Sequence, residues 1–524
     1  MYKLLKKEDI REILSSRFKD DRCLSLSSLP SPKLFKDIDK ATKRVIKAIR
    51  NRQKITIVGD YDVDGVVSSF ILSDFLERLI GSVEVFIPNR FEDGYGVSEE
   101  IIKKIDSPLV ITVDNGISAV DAAKLCKKKG IDLIITDHHT PPKILPEAYA
   151  IINPKQKDCP FPFKEICGAE VAWYFVASIK NALSLKFDLL EYVDVLSIAI
   201  VADMMELKDL NRVLVKRGLK AINSSKRASI LAIKEEFNKE SFGSEDISYL
   251  LSPLLNSAGR MDSAVKAFNF LKSHTINEAS TLLREIISLN EKRKEIEKEL
   301  FDISLDMVDE SQDIIVVWGE DWHEGVIGIV AARLAKRFKK PSIVFSIKDG
   351  IAKGSARSVA KVDILSIIGQ NRDIVMFYGG HKGAAGLSVS ADRLEDFKSR
   401  VQESISKIDK SMFVQDLDIL GEIDPREIDF ELLDILERFE PYGYKNPKPF
   451  FSIKNAKVKK QRVLGKEKNH QKIIIQSNNH ILESINFNYK TKVEIGSKID
   501  MIFTISKNSF RGYVTPQLMV EEII

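Results

Sequence analysis

Three short stretches in the first third of the chain concentrate carboxylates and imidazoles at a spacing that could hold divalent metal. Asp60-Tyr61-Asp62-Val63-Asp64-Gly65 follows the apolar run KITIVG, Asp114-Asn115-Gly116 follows LVITV, and Asp137-His138-His139 follows DLIIT. Several carboxylates packed into one crevice would each resist ionisation of the next unless a cation sat between them. Oxygen donors with one or two imidazoles and no thiolate suit Mn²⁺ or Mg²⁺ better than structural Zn²⁺. Two such ions about 4 Å apart clamp the attacking and leaving oxygens of an in-line phosphoryl displacement and supply hydroxide at neutral pH, so phosphodiester hydrolysis is the favoured reaction. Each stretch alone has a plainer reading. Asp60 to Gly65 also reads as a polar turn or a calcium loop, although loop position 12, where such a loop needs Glu, is Ile71. A lone Asp-His-His reads as a solvated loop and a lone Asp-Asn-Gly as a turn. Their joint occurrence at successive strand ends carries the argument.

The elements that must position these residues are visible as alternating patterns. Apolar runs at Lys54 to Gly59, Val83 to Ile87, Leu109 to Val113, Asp132 to Thr136 and Ala148 to Ile152 read as strands, with helical spacing at Val66 to Leu79 and Ser118 to Lys129. This order predicts an α/β domain with a parallel sheet, whose ligands gather outside the carboxyl ends of the strands. Helices near Ala169 to Lys180 and Leu189 to Ala202 close that domain. Residues 210 to 274 read as mainly helical, and Thr275 to Glu310, free of Gly and Pro, as one long helix connecting two lobes. A second α/β pattern starts at Asp313 to Trp318, continues through a helix near Val326 to Phe338 and strands at Ser342 to Phe345 and Ile351 to Ser355, and ends in a loop from Gly379 to Gly386 and a helix near Leu394 to Ile408. Short strands at Lys472 to Gln476, His480 to Phe487, Lys498 to Ile505 and Gly512 to Leu518 predict a small all-β barrel. The expected boundaries are 1–45 for an N-terminal segment, 46–210 for the first domain, 211–310 for the helical region, 311–412 for the second α/β domain and 413–524 for the barrel. No internal repeat or low-complexity tract interrupts them.

Composition agrees with that size. A chain of 524 residues, 44% hydrophobic and 30% charged, is long enough for several cores, and at about 150 residues per domain three or four are expected. No stretch approaches the roughly 18 apolar residues of a membrane span, and the charged N-terminus MYKLLKKEDIREIL excludes a continuous signal-peptide core, so the expected location is the cytoplasm. Cys23, Cys126, Cys159 and Cys167 form no C-x-x-C pair and are expected to be reduced. The net charge of +4 is unevenly spread, residues 451 to 524 carrying 13 Lys and Arg against 6 Asp and Glu, a distribution that suits a phosphate backbone or simply a basic surface.

Asp60 to Gly65, Val113 to Ile117 (VDNGI), Asp137 to His139 and Val201 to Met205 (VADMM) resemble the four successive motifs of the DHH phosphoesterase superfamily. Asp-Tyr-Asp-x-Asp-Gly in the first motif, with Pro253 to Arg260 (PLLNSAGR), Trp322 to Arg333 (WHEGVIGIVAAR) and Gly379 to Gly386 (GGHKGAAG), is more similar to the RecJ family of single-strand-specific DNA exonucleases, and the resemblance covers nearly the whole chain. It implies that Asp60 and Asp62 serve one metal, that Asp114 bridges, and that Asp64, His138 and Asp203 complete the other site. His139 would then face the scissile phosphate, and Asp137 would orient its neighbours, as carboxylates beside metal-binding His commonly do.

The same resemblance implies a substrate-holding second lobe. His381 would contact the reacting phosphate, with Gly379, Gly380 and Lys382 close to the backbone because glycine lets N–H groups approach phosphate. Arg90, Ser355 and Arg357 resemble positions that take the 5′-terminal phosphate, and Arg260 a backbone contact; alone, these are ordinary surface side chains or a flexible loop. His323, in Trp322-His323-Glu324-Gly325, precedes a helix whose N-terminus could face a phosphate. The barrel resembles an oligonucleotide-binding fold in which Phe487, Tyr489, Phe503, Phe510 and Tyr513 either stack on bases or fill the core. The expected activity is processive 5′ to 3′ hydrolysis of single-stranded DNA threaded between the lobes, in repair and recombination, with single-strand-binding protein or other repair proteins as partners and a monomeric enzyme. The chain ends soon after the expected barrel, so contacts made by the extra C-terminal domain of longer relatives are not assumed. The alternatives are a DHH phosphodiesterase acting on short oligonucleotides or cyclic dinucleotides, which removal of 413–524 would separate, and a silent DNA-binding scaffold, which the intact acids oppose.

Overall fold

Nearly continuous β-branched runs form a fully parallel sheet in the order Glu84–Phe86, Ile55–Val58, Leu109–Val113, Asp132–Thr136, Ala150–Ile152. Such runs have no polar face because helices cover both sides of the sheet, and Ile55, Ile57, Val110, Ile111, Ile134 and Ile135 are all buried. The strand earliest in the chain lies inside the sheet, so the connections run to one side and then to the other. The strand order reverses between Ile55–Val58 and Leu109–Val113, and Asp60 and Asp114 follow these two strands; ligands of doubly wound sheets bind at this reversal. The computed structural model describes residues 3–414, 418–465, 468–489, 492–510 and 513–524. Its four cysteines are free and buried, and no helix among the described residues is long and apolar enough to cross a membrane.

One expectation moves here. The helix after the first strand is Val63–Ile80, not Val66 to Leu79, because the Asp62 side chain accepts the Gly65 N–H at 3.1 Å and caps it. Asp64 therefore sits in the first helical turn. Apolar periodicity misplaced the start because that turn carries buried acid, not buried hydrocarbon.

The chain divides into two compact units, one of Met1–Phe86, Gly96–Ser252 and Leu417–Ile524, the other of Ile87–Tyr95 and Pro253–Asp416. In the second, Ile276–Asp306 forms the long helix, capped by the Thr275 side chain. Its C-terminal part buries Leu300 and Phe301 against Val326, Ile327, Val330 and Leu334 of helix Glu324–Phe338. The five-stranded sheet of this unit runs Val375–His381, Ala384–Ser390, Ile351–Arg357, Ser342–Lys348, Ile315–Glu320, and only the last pair is parallel. The expected Gly379 to Gly386 loop is thus corrected to a β-hairpin, with Gly379 opposite Gly386 and His381 opposite Ala384. Glycines are poor strand formers, which made the segment read as a loop, but Gly380 has φ +138° and a Cβ there would strike the Ala384 carbonyl across the ladder.

In the C-terminal part of the first unit, Phe450–Leu464, His470–Ser477, His480–Asn486, Tyr513–Ile523 and Lys498–Phe510 pair in succession, and Lys498–Phe510 returns to Phe450–Leu464 to close a five-stranded barrel. Phe503 is fully buried in it, so that ring belongs to the core, whereas Phe487 is exposed and meets His470 edge-on. Tyr489 is half-buried, and the side chains of Phe510 and Tyr513 lie outside the described residues.

Candidate metal centre and phosphate-binding residues

Each acid of the first unit is fixed by a local feature of the chain. Asp60 Oδ1 accepts the Tyr61 N–H at 2.7 Å, and Gly65 leaves room for the turn because a Cβ there would lie 2.5 Å from the Asp60 carbonyl oxygen. Asp64 is buried and accepts the Gly168 and Ala169 N–H groups at 2.6 and 2.8 Å. Those amides open helix Gly168–Ala182, whose N-terminus favours an anion. Asp114 adopts φ +61° directly after its strand, a conformation open to Asp more than to most residues, and its N–H donates to Thr136 O. Asn115 ties this turn down, donating to Val58 O and Val113 O and accepting the Val97 N–H. Asp203 follows the buried helix Val193–Ala202.

These residues converge. Ligand atoms of Asp60, Asp62 and Asp114 lie within 4.8 Å of one another, as do those of Asp64, His138 and Asp203, and those of Asp114, His138 and His139. His138 Nε2 stands 3.2 Å from Asp114 Oδ1, 3.6 Å from Asp203 Oδ2 and 3.8 Å from Asp64 Oδ2. Asp137 takes no part in these groups. Its Oδ1 accepts the His138 and His139 N–H groups and meets His139 Nδ1 at 2.8 Å, while Oδ2 accepts the Ile117 N–H. Both Asp137 oxygens thus meet protein groups, and they fix the His138 backbone and the His139 ring.

The electrostatics follow from burial and crowding. Burial first, and then the charge of Asp62, push Asp64 up to about 6. Burial and neighbouring carboxylates drive Asp114 and Asp203 well above the usual carboxylate range. Burial pulls His138 down to about 3, so it is a neutral imidazole with a lone pair to give. His139 goes the other way: burial opposes its charge, but the hydrogen bond and charge of Asp137 prevail and lift it to about 9. Asp114 Oδ1 and Asp203 Oδ2 are buried with no hydrogen-bond partner. Buried acceptors are otherwise satisfied, and an oxygen-rich, thiolate-free set around orphaned carboxylate oxygens fits a pair of hard divalent cations such as Mn²⁺ or Mg²⁺.

The second unit gathers the expected phosphate contacts at the start of helix Glu324–Phe338. The His323 ring caps that helix, accepting the Gly325 N–H at 3.2 Å, and Arg260 donates to Gly325 O at 3.3 Å. Arg357 donates to Ser355 Oγ at 3.0 Å, and both side chains close over Gly328, where a Cβ would stand 2.9 Å from Ser355 Oγ and 3.0 Å from the Arg357 guanidinium. Burial and the nearby charge of Arg90 weaken Arg357 as a cation. Burial first, and then the charge of Arg357, lower the proton affinity of His381, whose Nδ1 accepts the Gly383 N–H. Ser355 and the Arg357 guanidinium thus stand over the first turns of this helix, an arrangement whose chemistry suits an anion. Lys382 is exposed at the hairpin tip, beyond Gly379 and Gly380.

Sequence reading missed Gly168. A Cβ on it would sit 2.5 Å from Asp114 Oδ1, and its N–H fixes Asp64, so this one glycine serves both candidate ion sites. The nearest signal was Cys167-Gly168-Ala169-Glu170, where the Glu170 side chain accepts the Cys167 N–H and marks the helix start.

Comparison with known proteins gives three domain matches: DHH family, N-terminal domain, at residues 54–200; DHHA1 domain at 311–407; and RecJ OB domain at 419–522. The chain is 35% identical to the single-stranded-DNA-specific exonuclease RecJ of Bacillus subtilis over 93% of its own length and 63% of that protein's. It is 32% identical to the Haemophilus influenzae protein of the same name, covering 95% of this chain and 92% of that one. Among solved structures, Thermus thermophilus RecJ in complex with Mn²⁺ matches with a TM-score of 0.85 at 26% identity, over 99% of this chain and 75% of that one. A manganese-bound exonuclease RecJ matches with a TM-score of 0.63 at 32% identity, over 72% and 96%.

Proposed function

This chain belongs to the RecJ family of single-strand-specific DNA exonucleases, and from that premise we propose that it hydrolyses single-stranded DNA stepwise from the 5′ end by two-metal phosphodiester chemistry. The observation that carries the reading is the meeting of Asp60, Asp62, Asp64, Asp114, His138 and Asp203 around buried carboxylate oxygens that no protein group satisfies.

In this reading Asp60, Asp62 and Asp114 hold one ion and Asp64, His138 and Asp203 the other, Asp114 lying between the two groups. When bound, the ions provide the nucleophile at neutral pH and offset the charge that builds on the phosphoryl oxygens. His139, protonated and oriented by Asp137, points a donor at a non-bridging or leaving oxygen. Arg90, Ser355 and Arg357 take the 5′-terminal phosphate, Arg260 makes a backbone contact, and His381, with Gly379, Gly380 and Lys382 beside it, contacts the reacting phosphate. These groups bind and align, which for phosphoryl transfer is most of the catalytic task. The barrel supplies a sequence-indifferent grip on longer strands, its segment rich in Lys and Arg. Membership of the family supports repair and recombination as its setting; a cytoplasmic location, a monomeric state and single-strand-binding protein as a partner belong to the same proposal.

A time course on strands labelled at either end, single- and double-stranded, with Mn²⁺, Mg²⁺ or chelator, tests this. The expected result is mononucleotide release from the 5′ end of single strands that chelator stops. Release from the 3′ end, equal attack on duplex, or activity undiminished by chelator refutes it.

A further inference from the structure

Directly after Asp203 the backbone turns left-handed at Met204, φ +52°, and holds that side chain 69% exposed. The same turn is tied to the start of the barrel segment. Leu207 N–H donates to Tyr444 O at 2.9 Å, and Leu207 fills the space over Gly443, where a Cβ would be 2.6 Å from its Cδ1. Lys445 is left-handed too, φ +62°, with its ammonium 5.6 Å from the centre of the Tyr444 ring and 4.0 Å from the Glu206 carboxylate. Tyr444 is 51% exposed. A non-glycine residue persists in this backbone region only where its surroundings impose it, and such residues cluster at functional sites. Here two of them, Met204 directly after Asp203 and Lys445 directly after Tyr444, flank the tie between the two segments, which offers an exposed thioether chain, a phenol ring and an ammonium. Neither Met204 nor Tyr444 is buried in a core.

Resting on the nuclease reading above, we infer that Met204 and Tyr444 form a platform on which a nucleobase adjoining the scissile phosphate stacks, with Lys445 contacting a backbone phosphate. A base fits better than a protein side chain on chemical grounds. It brings a π-face for the ring and the thioether, and it always comes joined to a phosphate for the neighbouring cation. Stacking of this kind does not depend on which base is present, which suits an enzyme that must move along any sequence. Glu206 keeps Lys445 extended beside the ring without neutralising a buried charge, both being solvated.

The test compares Tyr444→Ala, Tyr444→Phe and wild type for binding, by anisotropy in chelator, to a thymidine 20-mer and to the same strand with abasic residues at its 5′ end. Tyr444 offers the fold its carbonyl, which Ala retains, so thermal melting should be unchanged. Stacking on one aromatic predicts roughly five- to hundredfold weaker binding of the normal strand by Tyr444→Ala. Tyr444→Phe should match wild type, and all three proteins should bind the abasic strand alike. Loss of discrimination between the two strands in Tyr444→Ala alone supports the platform even if no strand is cleaved, in which case only the nuclease reading falls. Tyr444→Ala that binds both strands as wild type does overturns the platform, whatever the cleavage assay shows.

Discussion

Asp114 is the side chain on which both candidate ion sites converge, and its substitution separates chemistry from binding. Asp114→Ala should cut the hydrolysis rate by about a thousandfold or more, the scale of the several kcal/mol of charge stabilisation a bound metal contributes, while single-strand binding in chelator stays intact; unchanged hydrolysis would remove the proposed site. Asp137→Asn is expected to be milder, about 10- to 100-fold in Mn²⁺ affinity or rate, because it disturbs how His138 and His139 are held and not a ligand. The titration behaviour gives a further check. Asp64 holds its proton more tightly folded, up to about 6, than a free Asp does, so in chelated protein its stabilisation is complete below the unfolded value near 4 and is lost as pH rises through about 6. Cation binding needs these acids ionised, so Mn²⁺ should bind more tightly and raise the melting temperature further at pH 8 than at pH 5.5, with proton release visible by calorimetry in buffers of different ionisation enthalpy. A pH-independent shift would contradict the acid-cluster account. The acids and imidazoles of the first three stretches were legible in the sequence because each stretch follows an apolar strand, where the sheet dictates its position, whereas Asp203, at the end of helix Val193–Ala202, was legible only through the resemblance. Gly168 was not legible, since its importance is a close approach to Asp114, 54 positions earlier in the chain, and a glycine at a helix start is an ordinary sight.

Strands and helices were legible where hydrophobic periodicity dominates and illegible where another force sets the structure. The five parallel strands carry no competing signal and were read within a residue or two, whereas the hairpin through Gly379 and Gly386 was read as a loop because glycines are poor strand formers, and its ladder is fixed by pairing of its two arms and of Ala384–Ser390 with Ile351–Arg357. Ile419–Ile423 and the 15-residue strand Phe450–Leu464 escaped for a related reason: the first is short, and the second is polar over much of its length because alternate residues face solvent. In the second unit the element that bears on the proposed function is helix Glu324–Phe338, since its N-terminus, Ser355 and Arg357 are the proposed contacts to the terminal phosphate. Arg357→Ala should therefore lower the preference for a 5′-phosphorylated over a 5′-hydroxyl strand by about 10- to 100-fold, the worth of a hydrogen bond to a charged group. Competition between the two strands measures it directly. An undiminished preference would place the terminal phosphate elsewhere.

At the scale of the whole molecule, the N-terminal segment is part of the barrel's structure. Leu4–Leu5 pairs in parallel with Ile419–Ile423, Gly421 permits the approach, since a Cβ there would lie 2.7 Å from Lys3 O, and Glu422 N–H donates to Lys3 O. Leu5, Ile10 and Leu14 are fully buried among Ile423, Leu432, Phe451 and Phe503 in one core, and Lys7 pairs with Asp429 and Glu431 at its rim. Nothing in the first 16 residues announces this, because a two-residue strand and a ten-residue helix acquire their partners only from the far end of the chain. Removing residues 413–524 to separate long-strand from short-strand activity would consequently leave Leu5, Ile10 and Leu14 exposed and would strip Leu207 of its bond to Tyr444, close to Asp203. Loss of activity after that deletion would then report a damaged scaffold as readily as a lost grip on DNA. A single buried change avoids the ambiguity. Leu14→Ala should destabilise the barrel by about 2–5 kcal/mol, the usual cost of a large-to-small core substitution. If the barrel serves to hold long strands, the variant, assayed at a temperature where the parallel-sheet domain remains folded, should lose activity on long single strands while retaining it on dinucleotides and trinucleotides. Equal loss on both would show that barrel and metal centre unfold as one cooperative body, and an unchanged melting curve would show that the N-terminal segment is not part of the core.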